Sequence, residues 1–292
     1  MKGERWLMSY GKKYLRYILL LIALIITLSG CSPVDINNDN NTKDNSLLLV
    51  HYIDVGQADS ILIQVNDKNM LIDAGNKGDV DAVVSYLQKQ GVKKLDYVVA
   101  THPHEDHIGS MADIIKRFPI TEFYAPKKTS TTKTFENMIN ALNGKKIITA
   151  KAGVKLNLGD NTTAEFLAPN IDKYEEINDY SAVLKLTYGD NKFIFMGDAE
   201  KLSEGEILSS SADVSVDVIK VGHHGSSTSS SKEFLDKVSP KTAIISVGKN
   251  NDYGHPHKEI LAEFKKRSYT VYRTDIDGTI VLQSDGKNIK KR

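Results

Sequence analysis

From Leu47 onward the apolar positions come in short runs set off by turn residues. Leu47–Val55, Ser60–Val65 and Met70–Asp73 read as three successive strands, separated by Gly56-Gln-Ala-Asp59 and Asn66-Asp-Lys-Asn69. The period then changes: Val80, Val83, Val84 and Leu87 share one face of a helix that Asp79 can cap and that runs to Gln90. Leu95–Ala100 is apolar and β-branched enough for a buried strand, and Gly109–Phe118 has helical spacing. A strand at Ile120–Tyr124, a helix near Phe135–Leu142 and a strand at Ile147–Ala150 follow. Next come four meander strands, Val154–Leu158, Thr163–Ala168, Ser181–Tyr188 and Lys192–Met196, with Gly159-Asp-Asn and Gly189-Asp-Asn as turns. After Asp198 helices alternate with the strands Val216–Val221 and Ala243–Val247. Helix Lys258–Arg267 and the strands Thr270–Arg273 and Thr279–Gln283 close the pattern, and the basic tail 287–292 is expected to fray. The order implies an α/β (α+β) fold in which two sheets pack face to face with helices outside, a four-layer αββα sandwich over 47–286.

Residues 1–46 follow another rule. Lys2, Arg5, Lys12, Lys13 and Arg16 precede the apolar run Ile18–Leu28, and Leu28-Ser-Gly-Cys31 ends it. A basic start, a short apolar run and small residues make residues 1–30 an expected secretory signal. The ending resembles the bacterial lipobox, which makes Cys31 the expected lipid-bearing N-terminus and places the protein on the outer face of the cytoplasmic membrane. Residues 31–46 are too polar to build a core and read as a flexible tether. Cys31 is the only cysteine, so the chain forms no internal disulfide and offers no thiolate to a metal. The leader holds five of the 38 basic and one of the 37 acidic residues, leaving 33 against 36. That balance lacks the basic excess usual for a nonspecific nucleic-acid binder.

The candidate chemistry gathers in Thr101-His-Pro-His-Glu-Asp-His-Ile-Gly109, between a predicted strand and a predicted helix. Imidazole and carboxylate are ligands that divalent zinc, manganese or iron accept. Four such groups crowded without a cation would repel one another's protons. In such a loop His102 and His104 can share one metal while Asp106 and His107 reach a second. Asp198 ends an apolar strand, where an unpaired carboxylate is costly, and reads as a bridge between two metals. In Gly222-His-His-Gly225 the histidines alternate faces if extended, so one of His223 and His224 is expected to point at a metal; the sequence leaves open which. Tyr253-Gly-His-Pro-His257 reads as a rim loop presenting His255 to substrate, with His257 either capping a helix or exposed. His51, on the first strand, reads as a core or surface histidine.

These motifs in order, His51-Tyr-Ile-Asp-Val-Gly-Gln-Ala-Asp-Ser60, Leu71-Ile-Asp-Ala-Gly75, the His-Pro-His-Glu-Asp-His run, Met-Gly-Asp198, His-His-Gly-Ser226 and Tyr-Gly-His-Pro256, resemble the metallo-β-lactamase-fold domain of the ComEC/Rec2 competence proteins. A similar run occurs in exported phosphorylcholine esterases. The resemblance implies a hydrolase with two divalent metal ions, zinc or manganese. His102 and His104 would hold the first; Asp106, His107 and one of His223 and His224 the second; Asp198 would bridge them. Asp73 would orient the loop without binding metal. Many relatives place a further histidine where this chain has Ile177-Asn-Asp-Tyr-Ser181, so Asn178 or Asp179 is expected to substitute or to support the ligands from behind, the alternative being a loosely held first metal. The branch implies a phosphodiester substrate, extracellular DNA or a cell-envelope polymer, with phosphorylcholine ester, lactone and β-lactam hydrolysis and non-catalytic binding as alternatives. Asp106 and His255 are the expected catalytic groups, Ser226 and Tyr253 the substrate contacts, and the turn at Gly225-Ser-Ser227 an expected source of N–H donors to a phosphate oxygen.

Overall fold

The computed structural model describes residues 47–292, and the expected signal, Cys31 and the whole of the expected tether lie outside them. Two sheets form. The first has eight strands in the order β15-β14-β1-β2-β3-β4-β5-β6, with β1 (Leu48–Tyr52), β2 (Ile61–Val65), β3 (Lys68–Ile72), β4 (Leu95–Val99), β5 (Ile120–Ala125), β6 (Ile147–Thr149), β14 (Ile280–Ser284) and β15 (Ile289–Lys291). The second has seven, β13-β12-β11-β10-β9-β8-β7, with β7 (Lys155–Leu156), β8 (Thr162–Phe166), β9 (Leu184–Tyr188), β10 (Asn191–Phe195), β11 (Val218–Lys220), β12 (Thr242–Ile245) and β13 (Thr270–Arg273). β3–β6 run parallel, as do β10–β13, and the rest of each sheet is antiparallel.

Alternation along the strands builds three cores. Val50, Ile63, Met70 and Val99 of one sheet meet Phe166, Leu186, Phe193 and Val218 of the other. The opposite face of the first sheet, with Leu62, Leu71 and Val98, is covered by α1 (Val80–Lys89), α2 (Glu105–Ile108), α3 (Met111–Arg117) and α4 (Lys133–Leu142). The outer face of the second, with Ile194, Ile219 and Ala243, is covered by α5 (Lys201–Ser209), α6 (Lys232–Val238) and α7 (Lys258–Lys266); α8 (Thr274–Asp277) links β13 to β14. Each fully buried large aliphatic side chain contributes about 1.5–3 kcal/mol. The expected four layers are present.

Two local expectations fail. The predicted helix at Gly109–Phe118 forms as α3, but the expected loop before it contains a helical turn, α2, which meets α3 where a Cβ on Gly109 would stand 2.2 Å from the Lys77 nitrogen. That close approach locks α2 onto the turn after β3. The tail does not fray: Ile289–Lys291 pairs with β14, Ile289 packs against the inter-sheet core, and the Lys291 ammonium lies 4.3 Å over the Tyr272 ring and 2.8 Å from Asp277 Oδ1. Among the described residues no helix is long and apolar enough to cross a membrane.

Candidate metal centre

The site lies where β3, β4, β10, β11 and β12 end. Chain reversals there need special backbone: Asp73 has φ 58°, and His223 and His224 have φ 48° and 51°. The left-handed pair overturns the expectation of an extended segment with one histidine turned away. Both rings face the same carboxylate. His223 Nε2 lies 3.8 Å from Asp198 Oδ2, and His224 Nε2 lies 3.7 Å from Asp198 Oδ1.

Asp198, 2% exposed, stands at the centre. Its Oδ2 also faces His102 Nε2 at 3.8 Å, and His102 Nε2 is 3.0 Å from His104 Nδ1. Its Oδ1 faces His107 Nε2 at 3.2 Å. Asp106 Oδ2 completes that side, 3.2 Å from His224 Nε2 and 3.8 Å from His107 Nε2. Two sets of donors therefore flank one carboxylate: His102, His104 and His223 on Oδ2, Asp106, His107 and His224 on Oδ1. Ligand atoms of Asp106, His107, Asp198 and His224 all lie within 4.8 Å of one another. His107 Nε2 and Asp198 Oδ1 are buried without a hydrogen-bond partner. Buried polar atoms are rarely left so, and a cation between them satisfies both, so these residues fit a divalent metal pair.

The charges are mutually dependent. Burial alone would raise the Asp198 carboxyl, but the imidazoles of His107 and His224 outweigh it and hold it well below the usual carboxylate range. Burial would lower His107, yet Asp198, Asp106 and Asp73 raise it well above its ordinary value. His102, buried and beside His107, is pushed well below. Opposed shifts of this kind, set by burial and by named charge partners, cluster at functional sites.

A second layer fixes the ligands. Asp73 Oδ2 accepts from His107 Nδ1 at 2.7 Å and from the Thr101 hydroxyl at 2.6 Å, while Oδ1 accepts from Thr101 N at 2.8 Å. The Ser181 hydroxyl accepts from Asp198 N at 3.0 Å and lies 3.4 Å from His102 Nδ1. Glu200 Oε1 is 3.1 Å from His223 Nδ1 and accepts from Asn178 Nδ2 at 3.0 Å. His224 Nδ1 donates to the Ser246 carbonyl at 2.9 Å.

Several expected roles move. Asp179 does not replace a ligand, since it accepts from Glu200 N and Ser203 N at the start of α5. Asn178 reaches His223 at 3.5 Å and acts through Glu200. Ser226 is not a substrate contact: it is 3% exposed, and its hydroxyl is held by Thr228. The turn amides are taken as well, Ser226 N by the His223 carbonyl and Ser227 N by His257 Nδ1. The left-handed backbone at His223 and His224 folds this turn inward. His257 stands at the N-cap of α7 and His51 is buried against the Tyr86 hydroxyl at 2.9 Å.

A cleft of about 320 Å³ opens over the ligands, lined also by Gln57, Glu105, Tyr253 and His255. Tyr253 is 70% exposed and stacks on His255 at 5.6 Å, which stacks on His224 at 6.4 Å. Burial, with the imidazoles of His223, His224 and His257, pushes His255 down to about 4. Sequence reasoning missed Asp59, Lys220, Thr101, Ser181 and Glu200. Only Lys220 carried a signal, a lysine inside the apolar run Val218-Ile-Lys-Val221.

Residues 53–249 match the profile of the metallo-beta-lactamase superfamily. ComE operon protein 3 of Bacillus subtilis is 33% identical over 251 residues, covering 79% of this chain and 32% of that protein. Recombination protein 2 of Haemophilus influenzae is 29% identical over 236 residues, covering 79% and 28%. The chain thus spans about a third of the length of these relatives. In fold it is similar to the metallo-beta-lactamase fold protein YhfI from Bacillus subtilis, with a TM-score of 0.56, 16% identity, and 81% and 100% of the two chains covered. Igni18, a metallo hydrolase from Ignicoccus hospitalis, gives a TM-score of 0.55 at 16% identity over 80% of this chain and 98% of that one.

Proposed function

From the premise that the chain belongs to the metallo-β-lactamase superfamily and carries a ComEC/Rec2-type domain of that fold, we propose that it is a phosphodiesterase using two divalent ions, zinc or manganese, exported and tethered to the membrane through Cys31. One observation carries the reading: the Asp198 carboxylate is faced by imidazoles on both oxygens, at 3.2–3.8 Å. His102, His104 and His223 would hold one ion and Asp106, His107 and His224 the other, with Asp198 common to both. When bound, such a pair supplies an activated water and Lewis-acid charge, which suits in-line displacement at phosphorus.

The chain's own residues do the rest. Asp73 holds His107 with Nδ1 as donor, so that Nε2 is the free ligand atom. Asn178 and Glu200 fix His223 in the same way. His255, pushed down to about 4, is a neutral imidazole at neutral pH. It serves the leaving oxygen by hydrogen bonding from the cleft rather than by delivering a full positive charge. The exposed Tyr253 ring beside it offers a face to a base or other flat group on the leaving side. This favours single-stranded nucleic acid over a purely saccharide or polyol phosphate.

The test is a substrate panel with the metal-loaded protein: single-stranded DNA, bis-p-nitrophenyl phosphate, p-nitrophenylphosphorylcholine and nitrocefin. Phosphodiester cleavage above background with zinc or manganese is expected. Activity confined to nitrocefin would overturn the reading, and activity confined to p-nitrophenylphosphorylcholine, itself a phosphodiester, would move the substrate from nucleic acid to a choline ester.

A further inference from the structure

Lys220 ends β11 with its side chain between the sheets and 0% exposure, in register with the core residue Ile244 on β12. An ammonium there is costly unless paired. Its Nζ donates to Asp59 Oδ2 at 2.7 Å and to the Val221 carbonyl at 3.1 Å. Asp59 comes from the other sheet, in the loop between β1 and β2, and is 1% exposed. Its second oxygen, Oδ1, has no hydrogen-bond partner and lies 3.6 Å from His224 Nδ1. The Asp59 main chain is committed to the same place: its N–H donates to the Asp106 carbonyl at 3.1 Å, and its carbonyl accepts from Gly75 N at 2.8 Å. Ligand atoms of Asp59, Asp73 and His107 also lie within 4.8 Å of one another.

The ligands that Asp59 approaches, Asp106, His107 and His224, all belong to the set around Asp198 Oδ1. We propose that Asp59 and Lys220 are a positioning pair for that half of the dinuclear centre, with the Lys220 ammonium acting as a resident cation that keeps Asp59 out of the ligand set. The inference rests on the two-metal reading above. Its physical ground is competition. Without Lys220, a buried carboxylate 3.6 Å from His224 would draw its Nδ1–H away from the Ser246 carbonyl, now 2.9 Å away, and turn the ring. Stability alone does not explain the pair, because well-packed apolar residues of the same volume usually stabilise a core as much or more. The ion pair also ties both sheets together directly beneath the ligands, so the two halves of the site keep one spacing.

The test compares wild type, the charge-free double variant Asp59→Asn/Lys220→Met and the single variant Lys220→Gln, with His104→Ala and His224→Ala as references. Stepwise affinities for zinc, and separately for manganese, are read by competition with a chromophoric chelator, alongside thermal melting. Lys220→Gln, which leaves the Asp59 carboxylate without its cation, should keep one equivalent at wild-type affinity and weaken the other about 10- to 100-fold, the usual size for loss of an outer ligand partner. That pattern should match His224→Ala in kind and not His104→Ala. The double variant, which removes the competing carboxylate together with the cation, should melt near wild type and recover most of that loss. A purely structural staple would weaken both equivalents alike in Lys220→Gln, and an irrelevant one neither; either result, or a double variant as impaired as Lys220→Gln, overturns the proposal. Should Lys220→Gln fail to fold, the double variant decides alone, since weakened binding in the absence of the carboxylate overturns the proposal. Wild-type protein that takes up fewer than two equivalents would defeat the dinuclear reading itself, before any variant is compared, and the pair's role with it.

Discussion

His107 Nδ1 stands 2.7 Å from Asp73 Oδ2, and neither side chain has any exposed surface. Both Asp73 oxygens only accept, from Thr101 N, the Thr101 hydroxyl and His107. Asp73→Asn keeps the volume but turns an NH2 group toward one of those donors. An unsatisfied buried donor costs about 1–3 kcal/mol, and loss of the partner that orients a metal-binding histidine costs about 10- to 100-fold in metal affinity. Urea denaturation of the metal-free protein and chelator competition should show both losses in Asp73→Asn. Wild-type metal affinity in that variant would mean that His107 is oriented by packing alone.

Acid should weaken the metal-free fold, and His51 isolates one contribution. Burial, with Arg292 adding, lowers it to about 4, so it stays neutral in the folded state over a range where the unfolded chain takes up a proton. Between pH 6.5 and 4 the unfolded state binds more protons, and stability rises with pH. Above pH 6.5 the group adds no slope. Lowering His51 from its ordinary 6.5 to about 4 corresponds to on the order of 3 kcal/mol lost by pH 4. In His51→Phe the fall in unfolding free energy from pH 6.5 to 4 should be shallower by about that much. Parallel pH profiles for the two proteins would refute the assignment.

Most of the fold was readable because the apolar period switched cleanly between two and 3.6. Val80, Val83, Val84 and Leu87 declare α1, and Val98 and Val99 declare β4. The ligands were readable for a different reason: six of them sit in two short motifs, and Asp198 ends an apolar strand where nothing else explains it. What stayed hidden depends on backbone conformation and on distant pairing. The left-handed φ of His223 and His224 has no local cue beyond the flanking glycines, so two facing rings were read as one. Asp59 and Lys220 are 161 positions apart, and no local pattern couples them. The sequence places Ser226 beside the paired histidines as a substrate contact, but nothing local shows that this turn closes inward on Thr228.

Cys31 is the only cysteine and follows Leu28-Ser-Gly, so a single substitution tests the anchor. In a bacterial host that processes lipoproteins, Cys31→Ala should leave an uncleaved precursor or release the protein from the membrane fraction. Wild-type protein should carry a lipid on Cys31, detected by mass spectrometry of the N-terminal peptide. An intact Met1 and an unmodified Cys31 in membrane-bound wild type would count decisively against the anchor.

His255 and Asp198 separate binding of the ions from use of the cleft. Asp198 is faced by rings of both donor sets, so Asp198→Ala removes the shared anion from between four imidazoles. It should abolish both metal loading and turnover. His255 touches the site differently: it stacks on His224 at 6.4 Å and on Tyr253 at 5.6 Å, and lines the cleft where the leaving group would rest. His255→Ala should keep two equivalents of metal and lower kcat by about 10²- to 10⁴-fold, the usual weight of a positioned proton-transfer group. Because a neutral imidazole at pH 7 serves by hydrogen bonding, His255→Gln, which retains an N–H donor, should recover part of that loss. Tyr253→Ala should act chiefly on KM, and more for a substrate with a base than for bis-p-nitrophenyl phosphate. If His255→Ala lost metal in proportion to activity, His255 would belong among the residues that hold the ions and not among those that serve the leaving group.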